Sequence, residues 1–420
     1  MIGFCIRVPE KTINRWWIPV AAVAIHICIG SVYAWSTLNR PIKALFPNDP
    51  WWFSPPYTTF STALVLLGLS AAFGGTWVER RGPRAAAMAA AVLFGSGLIL
   101  GGIGLTLRQS WLVFLGMGVT GGMGCGLGYI APVSTLVKWF PDRRGMATGM
   151  AIMGFGGGAF LAGYLNVYFI GLLGVANTIV VLGVLYFCIM MTGALIIRRP
   201  PAGWKAQTIV AARTLSRNDA IRTGQFYLLW GILLINVTAG IGVLAQASPM
   251  MQDMFQKTPV QAAAVVSLIS LFNAGGRIFW ASTSDYLGRR NTYLVFFGVQ
   301  VLLFLLIPQL AGNGSWVVFE AALFLIFSMY GGGFATIPAF LADMFGAENV
   351  GAIHGAILTA WSAAAIVGPI LITELSERSR RTLAQGASKI HIYDQPLQVL
   401  AALLMVGFVL TALVRPLRVK

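Results

Sequence analysis

The chain has 420 residues, of which 57% are hydrophobic and only 10% are charged, and its mean hydropathy is +0.77. Soluble domains carry about one quarter charged residues, so in water this chain would expose large apolar patches and aggregate. The formal net charge is +16, but the cations stand in short runs between long apolar segments, as in the loops of a membrane protein. The composition indicates an all-α polytopic membrane protein in a lipid bilayer. It excludes most soluble enzymes, and we expect no nucleic-acid partner.

Long apolar windows predict twelve transmembrane helices, because each crossing of a bilayer takes roughly 20 apolar residues. In chain order they lie near residues 17–38, 55–78, 85–107, 111–137, 145–169, 175–197, 224–248, 260–284, 291–311, 315–341, 351–375 and 397–414. A polar stretch divides them six and six. We therefore predict an N-terminal six-helix bundle in residues 1–197, a cytoplasmic linker in residues 198–222 and a C-terminal six-helix bundle in residues 223–420.

The basic residues predict the orientation of these helices. Eight of the 29 Lys and Arg residues fall in predicted outer loops and Arg277 lies within a span, so the other twenty are on the side of the two termini. By the positive-inside rule, both termini of this multi-pass protein are cytoplasmic and it resides in the cell membrane. The cysteines form no CxxC pair, and we see no metal-ligand spacing or nucleophile elbow. We expect no cofactor, no metal site and no enzyme activity.

An internal repeat relates the two halves. Pairs of residues at a constant offset of 206 are Glu79 and Asp285, Gly82 and Gly288, Pro132 and Pro338, Gly145 and Gly351, and Gly149 and Gly355. Several coincidences at one register make chance improbable. Two six-helix halves related in this way form a pseudo-symmetric transporter, with its site between them near the bilayer midplane.

The repeated loop follows the second helix of each half. Its residues are Gly75, Glu79, Arg80, Gly82 and Arg84 in the first half and Asp285, Gly288, Arg289 and Arg290 in the second. The acid is suited to accept hydrogen bonds from backbone N–H groups at a neighbouring helix start, and the cations to hold lipid headgroups or a helix C-terminus. We interpret the two loops as gating latches. A solvated turn is the simpler alternative, but duplication at a fixed register favours the latch.

With these features and the loop Trp139-Phe-Pro-Asp-Arg-Arg-Gly145, the chain resembles the major facilitator superfamily over essentially its whole length. Within it, the chain is similar to the monocarboxylate transporter and oxalate–formate antiporter branch. The segments that carry this likeness are Ile29-Gly-Ser-Val-Tyr-Ala-Trp35, Asn273-Ala-Gly-Gly-Arg277 and the glycine-rich helix that ends in Tyr129-Ile-Ala-Pro132. The resemblance implies the major facilitator fold and secondary transport of small organic acids, with proton symport as the expected coupling.

Arg277 is the most informative residue, because it lies inside an apolar run. A charge within a span costs roughly 3 kcal/mol or more unless it is paired or lines a wet cavity. Arginine keeps its charge there, and its planar fork matches a carboxylate. A permanent pair with an internal acid is the alternative, but Glu320, Asp343 and Glu374 are all placed near helix ends. Arg277 therefore predicts an anionic substrate.

The family resemblance also bears on the charge of that substrate. Oxalate–formate-type relatives carry a second cation, a lysine, in the eleventh helix, where this chain has Trp361. Without that cation the second charge of a dicarboxylate would be desolvated and unpaired, so a monocarboxylate of the lactate or pyruvate class is expected. Animal monocarboxylate carriers have an aspartate where this chain has Asn273. We predict that Asn273 orients Arg277 or binds a substrate hydroxyl; a plain interhelical hydrogen bond is the alternative.

Aromatic residues complete the predicted site. Tyr33, Tyr129, Tyr330 and Trp361 lie mid-span and are candidates for its walls, although packing alone explains any one tyrosine equally well. His26 is the proton-coupling candidate, with a core histidine as the alternative. His354 aligns with Thr148 at a helix start, which favours a structural role. The glycine clusters at 121–128 and 154–158 indicate close helix packing rather than nucleotide binding.

Together these features predict a monomeric secondary transporter that carries a small monocarboxylate with a proton by alternating access. Two other interpretations remain open. One is an oxalate–formate-type organic anion exchanger. The other is a membrane receptor that senses a carboxylate without transporting it.

Overall fold

The computed structural model describes residues 14–48, 55–201, 204, 214–312, 316–382 and 389–417. These ranges are helical with short connections and contain no β-strand, which confirms the all-α prediction. The α-helices are α1 (Trp17–Gly30), α2 (Ser36–Leu45), α3 (Pro55–Arg81), α4 (Pro83–Thr106), α5 (Ser110–Val113), α6 (Gly121–Trp139), α7 (Arg144–Ile196), α8 (Arg217–Ala220), α9 (Gly224–Phe255), α10 (Pro259–Leu287), α11 (Arg289–Gly312), α12 (Trp316–Phe345), α13 (Val350–Ile357), α14 (Thr359–Thr382) and α15 (Asp394–Leu413).

Eleven helical segments within the described residues are long and apolar enough to cross a membrane. The longest, α7, has 53 residues and would extend roughly 80 Å if straight, far more than the roughly 30 Å of a bilayer core. Gly174 interrupts it with φ 75° and ψ 163°, a conformation that favours glycine. Because this break divides α7 into two crossings, the chain makes twelve passes, as the apolar windows predict.

Three passes are less regular than the hydropathy windows indicate. The first continues from α1 through a 3₁₀ turn (Ser31–Ala34) into α2. The fourth contains a π-helical stretch, Phe114–Thr120, between α5 and α6. The eleventh is broken at Leu358, between α13 and α14. A hydropathy window averages side-chain polarity and is blind to the backbone hydrogen-bond register, so it shows one uniform span in each place.

Glycines let neighbouring helices approach closely inside the first six passes. A Cβ built on Gly124 of α6 would lie 2.8 Å from the Cα of Phe94 in α4. One built on Gly122 would lie 2.7 Å from the Cα of Ala63 in α3. Contacts this short exclude any side chain, so the glycine-rich run sets the spacing of α3, α4 and α6.

The first six and the last six passes meet along two helix pairs. In one, α7 packs against α10; in the other, α3 packs against α13 and α14. We call the end of the molecule where Asn14 and Leu417 lie the termini face. Arg15 pairs there with Asp142, and Arg415 donates its backbone N–H to Gln225. The candidate site lies between these two helix pairs.

Substitution of Gly124 by alanine tests the glycine packing. Its Cβ would collide with the α4 backbone, and we expect a cost of about 1–3 kcal/mol and an apparent melting temperature several degrees lower in detergent. Gly163→Ala is the matched control, because a Cβ there meets nothing within 4 Å and helix propensity favours alanine. Equal melting temperatures for the two variants would contradict the packing role of Gly124.

Candidate functional site

Arg277 lies deep in the molecule, at the boundary between the two sets of six passes. It stands ten residues before the last residue of α10, which places it roughly 15 Å from the termini face, near the middle of a bilayer core. Its side chain is 0% exposed. On the first-half side, a Cβ on Gly149 of α7 would meet the Arg277 carbonyl oxygen at 2.7 Å, and one on Gly156 would meet Ala274 at 3.0 Å. Glycines in α7 therefore allow α10 to present Arg277 directly to the first half.

Two of the three guanidinium nitrogens are tied to the protein. Nε donates to Oδ1 of Asn273 at 3.0 Å, and Nη1 donates to the Ile152 carbonyl oxygen of α7 at 3.1 Å. Nη2 is buried and has no hydrogen-bond partner among the described residues. The rings of Phe155 and Phe334 each lie 5.5 Å from the guanidinium carbon. The group is thus held in place with one N–H donor edge left for a ligand.

No carboxylate among the described residues pairs with Arg277. Those residues form seven ion pairs, and Arg277 is in none of them. Asp343, an acid on the adjacent α12, is bound by Arg144 and Arg289 at the termini face. A buried cation with a free donor and no protein anion attracts an anionic ligand.

Aromatic rings from both halves surround the guanidinium. Trp361 of α14 is central: its ring centroid lies 6.1 Å from Tyr33, 5.4 Å from Tyr129, 5.6 Å from Phe155 and 4.6 Å from Phe334. These rings meet mostly edge to face, a favourable geometry for aromatic pairs. They form a largely dry wall around one charged group.

Several polar atoms in this wall lack hydrogen bonds to described residues. They are the hydroxyls of Tyr33, Tyr129 and Tyr330 and the indole nitrogen of Trp361. The Tyr33 hydroxyl lies near both Tyr330 and Trp361, and all three tyrosines are within electrostatic range of Arg277. A buried polar atom without a partner costs about 1–3 kcal/mol, and the Tyr129 hydroxyl and Nη2 of Arg277 are two such atoms among the described residues. Such an arrangement is suited to the oxygen atoms of a small anion.

The structure therefore brings all six predicted binding residues into one cluster: Arg277, Asn273, Tyr33, Tyr129, Tyr330 and Trp361. His26 is next to it, with its ring 5.3 Å from Tyr129. A separate cavity of about 490 Å³, counting space open to the surroundings, lies within the first six passes and is mostly apolar. None of the six residues lines that cavity, so the cavity is separate from the candidate site at Arg277.

Sequence reasoning missed four groups at the site: Phe155, Phe334, His354 and the Ile152 carbonyl. Phe334 follows Tyr330 by one helical turn, so spacing alone indicates the same face. His354 is 0% exposed and 5.9 Å from the Tyr129 ring, so it belongs to the cluster's surroundings and is more than the helix-start residue expected from its alignment with Thr148. The Ile152 carbonyl carried no sequence signal, because only the packing of α7 on α10 presents it to Arg277.

The acid of the second repeated loop reaches across to the first half. Asp285 of α10 accepts backbone hydrogen bonds from Gly145 and Met146 at the start of α7, both at 2.9 Å. Arg289 donates to Asp285 at 2.6 Å and to Asp343 at 2.9 Å, and Asp343 also binds Arg144 of the first half at 2.7 Å. The free N–H groups and positive dipole end of a helix favour a carboxylate at this position.

The acid of the first loop makes the mirror contact. Glu79 of α3 accepts the backbone N–H of Gly351 at the start of α13, at 2.9 Å, and is paired with Lys138. Gly75 lies against the Gly351 backbone. Asp285 of the second half thus binds Gly145 of the first half, and Glu79 of the first half binds Gly351 of the second. The offset of 206 relates the two acids to each other and the two glycines to each other. We call these two sets of contacts, at Asp285 and at Glu79, the seam.

The remaining loop residues have simpler surroundings. Gly82 and Gly288 have φ values of 96° and 86°, which end α3 and α10 in a conformation that favours glycine. Arg290 donates to the carbonyl oxygens of Thr411 and Ala412 at the end of α15. Arg80 and Arg84 are exposed.

Comparison with known proteins identifies the family. The model of the Major Facilitator Superfamily matches residues 20–369. The oxalate:formate antiporter of Oxalobacter formigenes is 29% identical over 358 residues, with 84% of this chain and 83% of that protein covered. Apicoplast pyruvate carrier 1 of Toxoplasma gondii is 23% identical, with 82% and 81% covered. Monocarboxylate transporter 12 of Rattus norvegicus is 22% identical, with 84% and 78% covered. The resemblance to this branch is confirmed.

A solved structure gives the same fold. The crystal structure of the MFS transporter FucP in the outward conformation superposes with a TM-score of 0.67 at 12% identity and covers 94% of this chain and 97% of that one. Both the family and the fold are those of transporters rather than enzymes. The chain therefore belongs to the Major Facilitator Superfamily and is a multi-pass membrane transporter.

Proposed function

We propose that the protein is a secondary transporter of small monocarboxylates, with the substrate carboxylate bound at Arg277. The main support is the fully buried guanidinium of Arg277: among the described residues, its Nη2 has no hydrogen-bond partner and no carboxylate pairs with it. A bound carboxylate neutralises that charge and lowers the cost of closing the site around it. The three relatives are named for small organic acids, which supports the same substrate class.

The surroundings of Arg277 favour one carboxylate over two. Trp361, at the position of the expected second cation, directs an aromatic ring and one indole N–H into the cluster. An apolar wall with a few hydroxyl donors suits the short carbon chain and the carbonyl or hydroxyl group of pyruvate or lactate. The second charge of a dicarboxylate would have no cation to meet among the described residues of the cluster.

Transport proceeds by alternating access between two six-helix bundles, residues 1–197 and 223–420, joined by the linker at 198–222. The seam closes one face between them, and the termini side of that seam is cytoplasmic in our proposal. Repeated helix-start contacts at Asp285 and Glu79 make the closed arrangement a discrete state, since each carboxylate must release a helix start before the bundles separate. The protein acts as a monomer in the cell membrane, and a proton accompanies the substrate.

An exchanger is the second candidate. The 29% identity to an oxalate:formate antiporter over most of both chains favours it. In an exchanger, the empty carrier does not cross between states, so uptake requires an anion on the other side. The measurement below distinguishes the two.

Replacing Arg277 tests the binding proposal. In proteoliposomes, Arg277→Gln removes the charge, and we expect saturable uptake of labelled L-lactate to be lost. Arg277→Lys keeps the charge without the fork, and we expect uptake at least about tenfold below that of the wild type, since hydrogen bonds to charged groups contribute about 1.5–3 kcal/mol.

Arg378→Gln, an exposed cation far from the cluster, is the control and should transport normally. Wild-type rates in Arg277→Gln would refute the proposed site. Uptake that requires internal anion in every active variant would identify the exchanger.

Trp361 is expected to set the preference for one carboxylate. Unlabelled oxalate should inhibit lactate uptake poorly in the wild type, because its second charge meets no cation. Trp361→Lys supplies that cation and should lower the oxalate concentration for half inhibition about tenfold, while Trp361→Phe, which adds no charge, should not. Strong oxalate inhibition of the wild type would show that the site accepts dicarboxylates.

The seam predicts how the closed state responds to loss of one carboxylate. Asp285→Asn removes the charge that binds two backbone N–H groups and Arg289, and we expect the open population at the termini face to rise about tenfold. A cysteine in place of Ser134 (Ser134→Cys) measures this open population, because Ser134 is 2% exposed and lies against Gly351, so a reagent reaches it only when the seam opens. Its labelling by an impermeant thiol reagent should accelerate in the Asp285→Asn background and stay unchanged with Asp219→Asn, a linker substitution. Equal labelling in both backgrounds would contradict the latch.

A further inference from the structure

Two fully buried histidines, one from each half, contact the Tyr129 ring. His26 belongs to α1 in the first half and His354 to α13 in the second, and both are 0% exposed. Their rings lie 5.3 Å and 5.9 Å from that of Tyr129 in α6. The three side chains, which we call the histidine bridge, span the boundary between the halves.

The bridge carries imidazole nitrogens without hydrogen-bond partners. His26 Nδ1 donates to the Ala22 carbonyl oxygen at 2.9 Å, so its Nε2 holds the lone pair, and Nε2 has no described partner. Neither ring nitrogen of His354 has one. A neutral imidazole has one donor and one acceptor, and leaving both unmet in a buried place is unfavourable. A residue kept for packing alone gains nothing from these polar atoms.

The bridge connects the site with the seam. Tyr129 also contacts Trp361, at 5.4 Å, and His26 is within electrostatic range of Arg277. On the other side, His354 lies one helical turn from Gly351, whose N–H binds Glu79, and four residues before the break at Leu358. A change of charge on His354 is thus placed to act on both the ligand site and the contact of α13 with α3.

The charged and titratable groups around His354 are few. Tyr129 and His26 are the titratable side chains that interact with it directly. The charged residues on helices that pack against α13 are Glu79, Arg80 and Arg81 on α3, Lys138 on α6, Arg217 and Asp219 on α8, Asp253 on α9, Glu320 and Asp343 on α12, and Glu374, Glu377, Arg378, Arg380 and Arg381 on α14. Of these, Glu79, Lys138 and Asp343 are engaged at the seam, and Asp253 binds Arg380 and Tyr393 away from it. None of these acids neutralises a cation on His354.

We propose that the histidine bridge is the proton-binding site of the transporter and that His354 holds the transported proton. This rests on the proposed function. His354 is assigned rather than His26 because neither of its ring nitrogens has a hydrogen-bond partner among the described residues, whereas His26 Nδ1 donates to the Ala22 carbonyl oxygen. The proton comes from water on one side, adds to the lone pair of His354 to form an imidazolium, and is released to water on the other side.

Charge links the proton to the substrate. In the empty carrier, Arg277 opposes a second positive charge nearby. A bound carboxylate neutralises Arg277 and removes that opposition, so substrate and proton bind cooperatively. Loaded and empty carriers then have the same net charge in the site, one positive unit, which makes the cycle electroneutral.

Proton uptake on ligand binding tests the proposal directly. Purified wild-type protein in weakly buffered detergent with a pH indicator should take up about one proton for each pyruvate bound. His354→Gln, which keeps polarity and approximate size but does not protonate, should bind pyruvate and take up none. In proteoliposomes the same variant should lose the acceleration of labelled pyruvate uptake by an inward proton gradient.

His391→Gln is the matched control, since His391 is an exposed histidine paired with Asp394, and it should match the wild type in both assays. Proton uptake and gradient response that survive in His354→Gln would overturn the proposal. If proton uptake and the gradient response were lost in His26→Gln and kept in His354→Gln, the assignment to His354 would be overturned. If His354→Gln does not fold, a wild type that binds pyruvate without proton uptake, or whose uptake ignores the gradient, still overturns it.

The two proposals fail in different ways. A wild type that neither binds nor carries pyruvate or lactate overturns the proposed function and this inference together. A wild type that carries them and loses uptake in Arg277→Gln, but takes up no proton, leaves the proposed function standing and overturns the histidine bridge alone.

Discussion

A single buried positive charge constrains the centre of this transporter. Arg277 is fully buried, keeps two nitrogens occupied by Asn273 and a carbonyl of α7, and leaves the third free. Placing such a charge mid-membrane is costly unless something compensates it. Glycines bring α7 close enough to supply a carbonyl oxygen to Arg277, and aromatic rings from both halves surround the guanidinium.

At the termini face the seam also compensates charges, but these charges are negative. There the charges are the half-buried carboxylates of Asp285 and Glu79, and helix starts compensate them. The contacts at Asp285 and Glu79 repeat across the offset of 206, yet they are unequal: Asp285 is shared with Arg289, whereas Glu79 is paired with Lys138. The two sets of contacts thus share the same backbone geometry and differ in their side-chain cations. Contacts that close one face and a buried cation about halfway along the same helix pairs are features that an alternating-access cycle needs.

Much of this arrangement follows from the sequence, and particular residues show why. Arg277 stood out because charge is scarce in the spans, and the paired loops stood out because the 206 offset repeats. Phe334 was within reach of helical spacing. The contact of His354 with Tyr129 could not be predicted in this way, because it depends on how α13 packs against α6. The alignment of His354 with Thr148 indicated only a position at a helix start. The breaks at Gly174 and Leu358 were hidden because hydropathy does not register backbone geometry.

Local composition and spacing along the chain are enough to establish the membrane environment, the twelve passes and the family, and to single out Arg277 as a cation within a span. The packing of the helices was needed to show which groups face that cation, that no described carboxylate pairs with it, and that a histidine from each half contacts Tyr129. Many of those facts depend on contacts between residues more than a hundred positions apart, such as Arg277 with Ile152 and Tyr129 with His354. The packing of helices against each other determines such contacts, so no local sequence pattern reveals them.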